Sequence, residues 1–335
     1  MPIPDEDELY DQLTELPFPP ELSPGVMLDG YRIIAEMHAS SRSQVYLALD
    51  THSDEKVVVK TPSVNFCDDP AYIERFLFEE WVGRRINNLH VLKVHEQQEK
   101  KHFLYYATEY VQGETLAQWI ENNPQPDIKI VQQIVEQVAR GVRAFHRLEM
   151  LHQDLKPDNI VIDKSGVVKI IDFGSTKVSG LAEIASPIER SDILGTVDYT
   201  APEYIVGKAA TNRADIYSLG VICYQMLTGK LPYGELPNKP TTRSVAKMRY
   251  TPSYQCNPMV PPWLDGALKK AVHLEAEQRY EKLSEFIYDL KNPNKALTSA
   301  SQTPLLERNP LLFWRTLSLL LLIGNLVLLV ALFRT

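Results

Sequence analysis

Acidic, basic and amide side chains lie close together within residues 152–159, and an Asp-Phe-Gly triplet follows at 172–174. The first run reads His-Gln-Asp-Leu-Lys-Pro-Asp-Asn. Phosphoryl transfer needs a carboxylate that orients the attacking hydroxyl, a cation beside the transferred group and oxygen ligands for magnesium. The two runs supply all three, after Val-Val-Val-Lys at 57–60 and before Ala-Pro-Glu at 201–203. One triplet arises easily by chance, but the whole series predicts phosphoryl-transfer chemistry.

Composition narrows the class of protein. With 335 residues, the chain can hold two ordinary domains or one two-lobed unit with additional segments. Lys and Arg number 35 against 43 Asp and Glu, a formal charge of −8. Nucleic-acid binders usually carry a basic surface, so no nucleic-acid partner is expected. The three cysteines are widely separated and lack metal-ligand spacing, which fits a reducing cytoplasm without disulfides or a zinc site.

Periodicity and proline content divide the chain into segments. Residues 1–26 are acidic and rich in proline, which predicts an extended tail or docking arm and not a packed element. Residues 27–111 favour a small sheet with one helix, residues 112–291 are mostly helical, and residues 292–310 read as a polar linker. The first residues show no secretory signal. The periodic patterns predict strands at 31–34, 45–49, 56–60 and 103–106, and helices at 71–86, 131–145 and 214–227.

A strongly apolar run occupies residues 316–333 and includes nine leucines. At about 1.5 Å per residue it would measure about 27 Å, which is just enough for the hydrocarbon core of a bilayer. The leucines outweigh the expected insertion penalty of Asn325. We therefore predict a transmembrane helix within residues 311–333, with a buried core helix as the alternative.

Basic residues near this run predict its orientation. Arg308 and Arg315 precede it, and only Arg334 and Thr335 follow it. The positive-inside rule then keeps the large domain in the cytoplasm, as in a single-pass protein with a C-terminal anchor. Asn325 is also a candidate for a hydrogen bond to a second helix, which would give a weak homodimer, although a single tolerated amide is the simpler interpretation.

Residues from about 30 to 290 resemble the eukaryotic-like (Hanks-type) protein serine/threonine kinases of bacteria, through nearly every motif of that family. The resemblance implies an α+β, bilobal fold with a β-rich N-lobe over residues 27–111 and a larger helical C-lobe over 112–291. It also implies ATP with Mg²⁺ or Mn²⁺ as cofactors, and the Ser and Thr hydroxyls of protein substrates as acceptors. The predicted membrane would be the bacterial inner membrane.

The resemblance assigns the nucleotide-binding roles. Lys60 corresponds to the lysine that binds the α- and β-phosphates, and Glu79 to the helix glutamate that pairs with it, with Glu80 as the alternative. The remaining candidates would surround the adenine ring from the sheet and the hinge between the lobes. They are Val45, Val58, Thr108, Glu109 and Val111.

The catalytic and metal-binding roles follow in the same way. Asp154 corresponds to the aspartate that orients the substrate hydroxyl, and Lys156 to the cation that steadies the γ-phosphate. Asn159 and Asp172 correspond to the metal ligands. Thr200 corresponds to the threonine that contacts the catalytic aspartate and lysine near the substrate.

Three further residues resemble structural supports of that family. Glu203 and Arg279 correspond to a buried ion pair that holds the activation segment to the helical lobe. Asp215 corresponds to the aspartate that braces the catalytic loop. An ordinary loop or core role is the alternative for each of them.

The chain also departs from the family pattern. Residues 36–45 contain no glycine, with His38, Ser40 and Ser43 where the family has the three glycines of its phosphate-binding loop. Gln153 replaces the arginine that reads activation-loop phosphorylation. The active kinase therefore has one alternative, a pseudokinase that serves as a membrane-tethered binding or scaffold module with impaired ATP binding. By analogy with related bacterial systems, a separately encoded phosphatase is an expected partner.

Overall fold

The structure is a computed structural model that describes residues 16–96, 100–174, 176–178, 197–209, 211–236, 241–297, 314–318 and 320–322. The strands are β1 (Met27–Leu28), β2 (Tyr31–Ala39), β3 (Ser43–Asp50), β4 (Lys56–Pro62), β5 (Tyr106–Glu109), β6 (Gly113–Thr115), β7 (Met150–Leu151), β8 (Ile160–Asp163), β9 (Val168–Ile170) and β10 (Lys177–Val178). The helices are α1 (Pro70–Arg85), α2 (Leu116–Asn122), α3 (Ile128–His146), α4 (Pro202–Ile205), α5 (Asn212–Thr228), α6 (Thr242–Lys247), α7 (Ser253–Cys256), α8 (Pro262–Ala271) and α9 (Leu283–Lys291).

The first lobe is built on a five-stranded sheet in which β1 to β5 pair in chain order, each antiparallel to the next. Side chains alternate between the two faces of a strand. In β4, Val57 and Val59 are buried in the core of this lobe, and the intervening Val58 and Lys60 point to the other face. The valine run at 57–59 thus places Lys60 at the cleft between the lobes.

Helix α1 is the single long helix of this lobe among the described residues. It begins with Pro70 at its first turn, and Asp69 caps it by accepting a hydrogen bond from the Tyr72 amide, 3.2 Å away. Its last turn carries Arg84 and Arg85, which suit the negative end of the helix dipole. The bounds differ by one residue at each end from the predicted 71–86.

The second lobe is mostly helical, and α3 and α5 lie at its centre. Asp127 and Thr211 cap their N-termini, and Gly229 ends α5 in a left-handed conformation with φ of 67°. Helix α5 is buried nearly all round, so it shows no amphipathic stripe. The predicted fold of a β-rich lobe and a helical lobe is confirmed, and the candidate catalytic and metal-binding motifs lie in the loops between the elements.

The predicted unpacked tail is wrong for residues 16–26, the part of it that the structure describes. Leu22 is buried in the core of the first lobe, and Leu16 and Phe18 pack against a second cluster beside α1. Leucine and phenylalanine at these positions bury apolar surface although the surrounding prolines exclude a helix. Residues 1–15 lie outside the described residues.

The strand expected at 103–106 begins only at Tyr106, because the Leu104 amide donates to the Pro17 carbonyl, 2.9 Å away, instead of joining the sheet.

Of the apolar run at 316–333, only residues 316–318 and 320–322 are described, and they are helical. No helix within the described residues is long and apolar enough to cross a membrane.

Candidate active site

Lys60 and Glu79 form an ion pair in the cleft between the lobes. The Lys60 Nζ atom lies 2.7 Å from Oε1 and 2.9 Å from Oε2 of Glu79. Although burial opposes the charge, the carboxylates of Glu79 and Asp172 raise the pKa of Lys60 above its ordinary value. Lys60 therefore remains a cation and can bind the phosphate groups of a nucleotide.

Glu80, the alternative partner for Lys60, points elsewhere. Its carboxylate accepts hydrogen bonds from Lys101, at 2.7 Å, and from Arg84, at 2.8 Å. Adjacent residues on a helix lie about 100° apart, so Glu79 and Glu80 cannot face the same partner. The sequence alone does not separate these two glutamates, but Glu80 has its own cations outside the cleft.

Tyr106 is a site residue that the sequence analysis missed. Its hydroxyl interacts with the Glu79 carboxylate, and its ring centre lies 5.8 Å from Lys60 Nζ. Burial raises the pKa of Tyr106 well above its ordinary value, so the hydroxyl keeps its proton as a donor. Tyr106 thus holds both members of the ion pair from the strand beside them.

The catalytic loop brings Asp154, Lys156 and Asn159 together. Oδ2 of Asp154 lies 3.0 Å from Lys156 Nζ and accepts a 3.0 Å hydrogen bond from Asn159 Nδ2. Burial raises the pKa of Asp154, and Lys156 acts against this effect. The second oxygen, Oδ1, is buried without a hydrogen-bond partner among the described residues. Since buried polar atoms are normally paired, this oxygen is an unused hydrogen-bond acceptor at the cleft.

Asp172 faces the same cleft from the other side. Its Oδ1 atom accepts a hydrogen bond from the Gly174 amide, 3.0 Å away. Burial opposes its charge, but Lys60 and the Gly174 amide together hold the pKa of Asp172 below its ordinary value. Between them, Phe173 is buried and packs against Phe145, with ring centres 6.2 Å apart. The buried ring fixes Asp172 in its position at the cleft.

Gly83 of α1 permits this packing of Phe173. A Cβ atom at Gly83 would lie 2.3 Å from the Val94 side chain and 2.8 Å from the Phe173 ring, closer than any side chain tolerates. Helix α1 can approach Phe173 only because residue 83 has no side chain.

The donor set at the cleft fits a hard divalent cation. Asp172 supplies an ionised carboxylate, and Asn159 donates to Asp154 through Nδ2, which leaves its amide oxygen as a ligand. Mg²⁺ prefers oxygen ligands and is commonly held by one or two protein groups together with substrate phosphates. Within the described residues no cluster of three or more His, Cys, Asp or Glu forms a separate metal site.

Asp215 braces the catalytic loop from helix α5. Its two oxygens accept hydrogen bonds from the backbone amides of His152, at 3.1 Å, and Gln153, at 3.0 Å. His146 contacts the same carboxylate at 2.8 Å. Gln153 has φ of 70°, a left-handed conformation that costs about 1 kcal/mol or more for a residue other than glycine. The Asp215 hydrogen bonds offset this cost and fix the backbone before Asp154.

The candidate adenine-binding residues lie on β3, β4, β5 and the hinge that follows β5. Val45 pairs with Lys60 in the sheet register, and Val58 pairs with Thr108. Glu109 is turned away, because its carboxylate accepts hydrogen bonds from Lys169 Nζ and the Lys93 amide. Its side chain therefore does not reach the cleft, which leaves only its backbone for adenine. The other candidate at the hinge is Val111, whose peptide groups bond no other part of the described chain.

The glycine-free turn is closed by its own serine. The Ser40 hydroxyl accepts hydrogen bonds from the amides of Arg42, at 3.3 Å, and Ser43, at 3.0 Å. Two groups from elsewhere hold the Arg42 carbonyl: the Tyr72 hydroxyl of α1 and the Ser63 amide, at 2.8 Å. The sequence predicts neither contact, because no local pattern connects Tyr72 to this turn. Hydrogen bonds replace glycine flexibility here and fix the turn over the cleft.

We expect Tyr72→Phe to weaken ATP binding about fivefold. The substitution removes the hydroxyl that anchors the turn at Arg42, and a hydrogen bond contributes about 1 kcal/mol net. Equilibrium titration with ATP and Mg²⁺ measures the effect. Tyr46→Phe is the matched control, because the Tyr46 side chain is also buried and its hydroxyl donates a hydrogen bond to Gln44 of the same strand, β3. Equal affinity in Tyr72→Phe and wild type would contradict the proposed role of this bond.

Glu203 and Arg279 form a buried, bidentate ion pair. The two guanidinium nitrogens lie 2.8 and 2.7 Å from the two carboxylate oxygens. Arg279 also donates to backbone carbonyls, including that of His273 at 2.6 Å. The pair joins the start of α4 to the segment before α9. Thr200 lies just before α4, where its amide donates to the Val197 carbonyl.

Comparison with known proteins identifies several relatives. Residues 31–292 match the family model described as the protein kinase domain. The serine/threonine-protein kinase PrkC of Bacillus subtilis is 30% identical over 266 residues, which cover 78% of this chain and 40% of PrkC. PknA of Corynebacterium glutamicum is 34% identical over 209 residues, 61% of this chain and 44% of PknA. The chain thus spans less than half the length of these curated relatives.

A solved structure shows the same fold. The PknI kinase domain of Mycobacterium tuberculosis superimposes with a TM-score of 0.62 at 24% sequence identity. The match covers 82% of this chain and all of that domain.

Proposed function

Because this chain belongs to the protein kinase family, we propose that it transfers the γ-phosphoryl group of ATP to Ser and Thr hydroxyls of protein substrates. The convergence of one cation and two carboxylates on a single cleft carries the proposal. Lys60 enters from the sheet, Asp154 from the catalytic loop and Asp172 from the loop after β9. Preorganised charges of this kind are the main source of catalysis in phosphoryl transfer.

Each residue has a role in the transfer. Lys60 would bind the nucleotide phosphates, Asp172 and Asn159 would hold the divalent cation, and the unpaired oxygen of Asp154 would orient the substrate hydroxyl. Lys156, 3.0 Å from Asp154, neutralises charge on the transferred group. The bound Mg²⁺ would supply charge neutralisation between the phosphates.

Two observations favour Ser and Thr as acceptors. Lys156 follows Asp154 in an Asp-Leu-Lys-Pro context, which resembles serine/threonine kinases more than tyrosine kinases. PrkC and PknA also carry serine/threonine kinase names. The pseudokinase alternative finds no support, since the glycine-free turn is held by its own hydrogen bonds and Lys60, Asn159 and Asp172 are all present.

Autophosphorylation tests this function. The wild-type protein, incubated with ATP and Mg²⁺ and analysed by mass spectrometry, should gain phosphate on Ser or Thr, and Asp154→Ala should not. ATP with Mg²⁺ should also raise the melting temperature of both proteins, because a ligand that binds only the folded state stabilises it. Phosphate transfer by Asp154→Ala equal to wild type would refute the assignment.

We further propose that the apolar run at 316–333 anchors the protein to a membrane with the kinase domain in the cytoplasm. Its composition and the preceding Arg308 and Arg315 support this proposal. A phosphatase encoded elsewhere would then reverse its phosphorylation. Asn325 would add at most about 2 kcal/mol to a dimer of such helices.

Deletion of residues 316–333 should move the kinase from the membrane fraction to the soluble fraction. In intact spheroplasts, added protease should leave the kinase domain undigested, and digestion would refute the orientation. Cross-linking of Asn325→Leu and of wild type tests the dimer contact. Equal yields of cross-linked dimer would show that Asn325 makes no such contact.

A further inference from the structure

A proline-rich segment, residues 16–22, lies on the first lobe beside the N-terminal half of α1. Leu16 and Phe18 pack against an apolar cluster from α1 and the strand region next to it. The members of this cluster are Ile73, Phe76, Leu77, Leu104 and Tyr106. The backbone is also held, because the Pro17 carbonyl accepts a hydrogen bond from the Leu104 amide at 2.9 Å.

The segment is anchored at its other end as well. Leu22 is only 5% exposed and packs into the core under the sheet. Pro17, Pro19 and Pro20 lie between the two anchors. Proline restricts the backbone before docking, so the segment loses less conformational entropy when it binds.

The apolar cluster leads directly to the catalytic ion pair. The Phe76 ring lies 5.3 Å from the Tyr106 ring, and the Tyr106 hydroxyl interacts with Glu79. Phe76 and Glu79 are three residues apart on α1, so they share a helix face. A shift of Phe76 would therefore move Glu79 with it, away from Lys60.

The two halves of α1 depend on different partners. Val82, near the C-terminal end of the helix, packs with Ile86 into the core of the second lobe. Phe76, Ile73 and Leu77, in the N-terminal half, pack in the cluster that Leu16 and Phe18 complete. The apolar contacts of this half therefore include the proline-rich segment.

We propose that the proline-rich segment is a positioning element of the kinase site, which holds α1 so that Glu79 reaches Lys60. The proposal rests on the proposed function, since it assigns the segment a role in phosphoryl transfer. It differs from a purely stabilising role, because it requires that the rate of the folded enzyme depends on Leu16 and Phe18.

The test uses the full chain with Phe18→Ala, and with Leu16→Ala as a second, milder variant. Glu21→Ala is the matched control, because Glu21 belongs to the same segment but is exposed. Phe18→Leu keeps an apolar side chain and should restore function. The measurements are the initial rate of autophosphorylation at saturating ATP, the melting temperature, and the hydrogen exchange of the amides of α1.

At temperatures where every variant is folded, Phe18→Ala should lower the rate roughly tenfold and speed hydrogen exchange in α1, with a smaller effect for Leu16→Ala. Glu21→Ala and Phe18→Leu should stay within about twofold of wild type. A lower melting temperature with an unchanged rate would overturn the proposal, because the segment would then only stabilise the fold. If the wild type transfers no phosphate but Phe18→Ala still speeds hydrogen exchange in α1, the result would support the positioning role and refute the kinase function.

Discussion

Lys60→Met is expected to lower the rate of phosphoryl transfer by about 10³-fold or more. Met has nearly the length of Lys but carries no charge, so the variant keeps the packing and loses the cation at the phosphates. Removal of a single preorganised charged or hydrogen-bonding group from a transition state costs about 10²- to 10³-fold. Asp172→Ala should have an effect of similar size, because it removes a proposed ligand of the divalent cation. Autophosphorylation under single-turnover conditions measures both.

Lys101→Met provides a matched control for Lys60→Met. Lys101 pairs with Glu80 at 2.7 Å, the distance of Lys60 from Glu79, and the lysine side chains are 17% and 22% exposed. The pairs involve adjacent glutamates of one helix, but only Lys60 faces the cleft. Lys101→Met should therefore lower stability and keep transfer within a few-fold of wild type. Full activity in Lys60→Met, or equal losses in both variants, would contradict the assigned role of Lys60.

Glu203→Gln is expected to lower the free energy of unfolding by about 3–5 kcal/mol. The change keeps the shape of the side chain but leaves the guanidinium of Arg279, whose side chain is 0% exposed, without its counter-charge. An uncompensated buried charge of this kind typically costs that amount. Because the pair also fixes the start of α4 next to Thr200, the same variant should lose activity at temperatures where it is still folded. Urea denaturation followed by tryptophan fluorescence measures the stability.

Arg140→Ala is the control for the buried pair. Arg140 and Glu136 are 3.0 Å apart, but the Arg140 side chain is 56% exposed. Exposed pairs contribute about 1 kcal/mol or less, so this variant should differ little from wild type. If Glu203→Gln and Arg140→Ala lowered the free energy of unfolding by the same amount, burial would not explain the importance of the Glu203 pair.

Motif spacing predicted the kinase fold because the residues in question are fixed by chemistry. The chemistry requires a cation on a buried strand and carboxylates in defined loops, so the positions of these residues along the chain can vary little. The match to the protein kinase domain confirms that prediction. The choice between neighbouring residues such as Glu79 and Glu80 was harder to predict. Only the three-dimensional structure shows that the Glu80 carboxylate is bound by Lys101 and Arg84.

Non-local contacts account for what the sequence could not predict. Tyr72 reaches the Arg42 carbonyl 30 residues earlier in the chain, and no local periodicity marks such a contact. Leu16 precedes Pro17 and Phe18 lies between Pro17 and Pro19, so their packing follows neither helical nor strand periodicity. Sequence patterns assign segments of this kind to loops or tails, and only the structure shows the surface against which they pack.

The serine-closed turn over the cleft also has a thermodynamic consequence for nucleotide binding. A glycine-rich loop samples many conformations when free and loses this freedom when it closes on phosphates. In this chain the Ser40 hydroxyl and the groups on the Arg42 carbonyl already restrict the turn. ATP should therefore bind with a smaller entropic penalty here, and calorimetry of Ser40→Gly should show a more unfavourable entropy of binding than wild type.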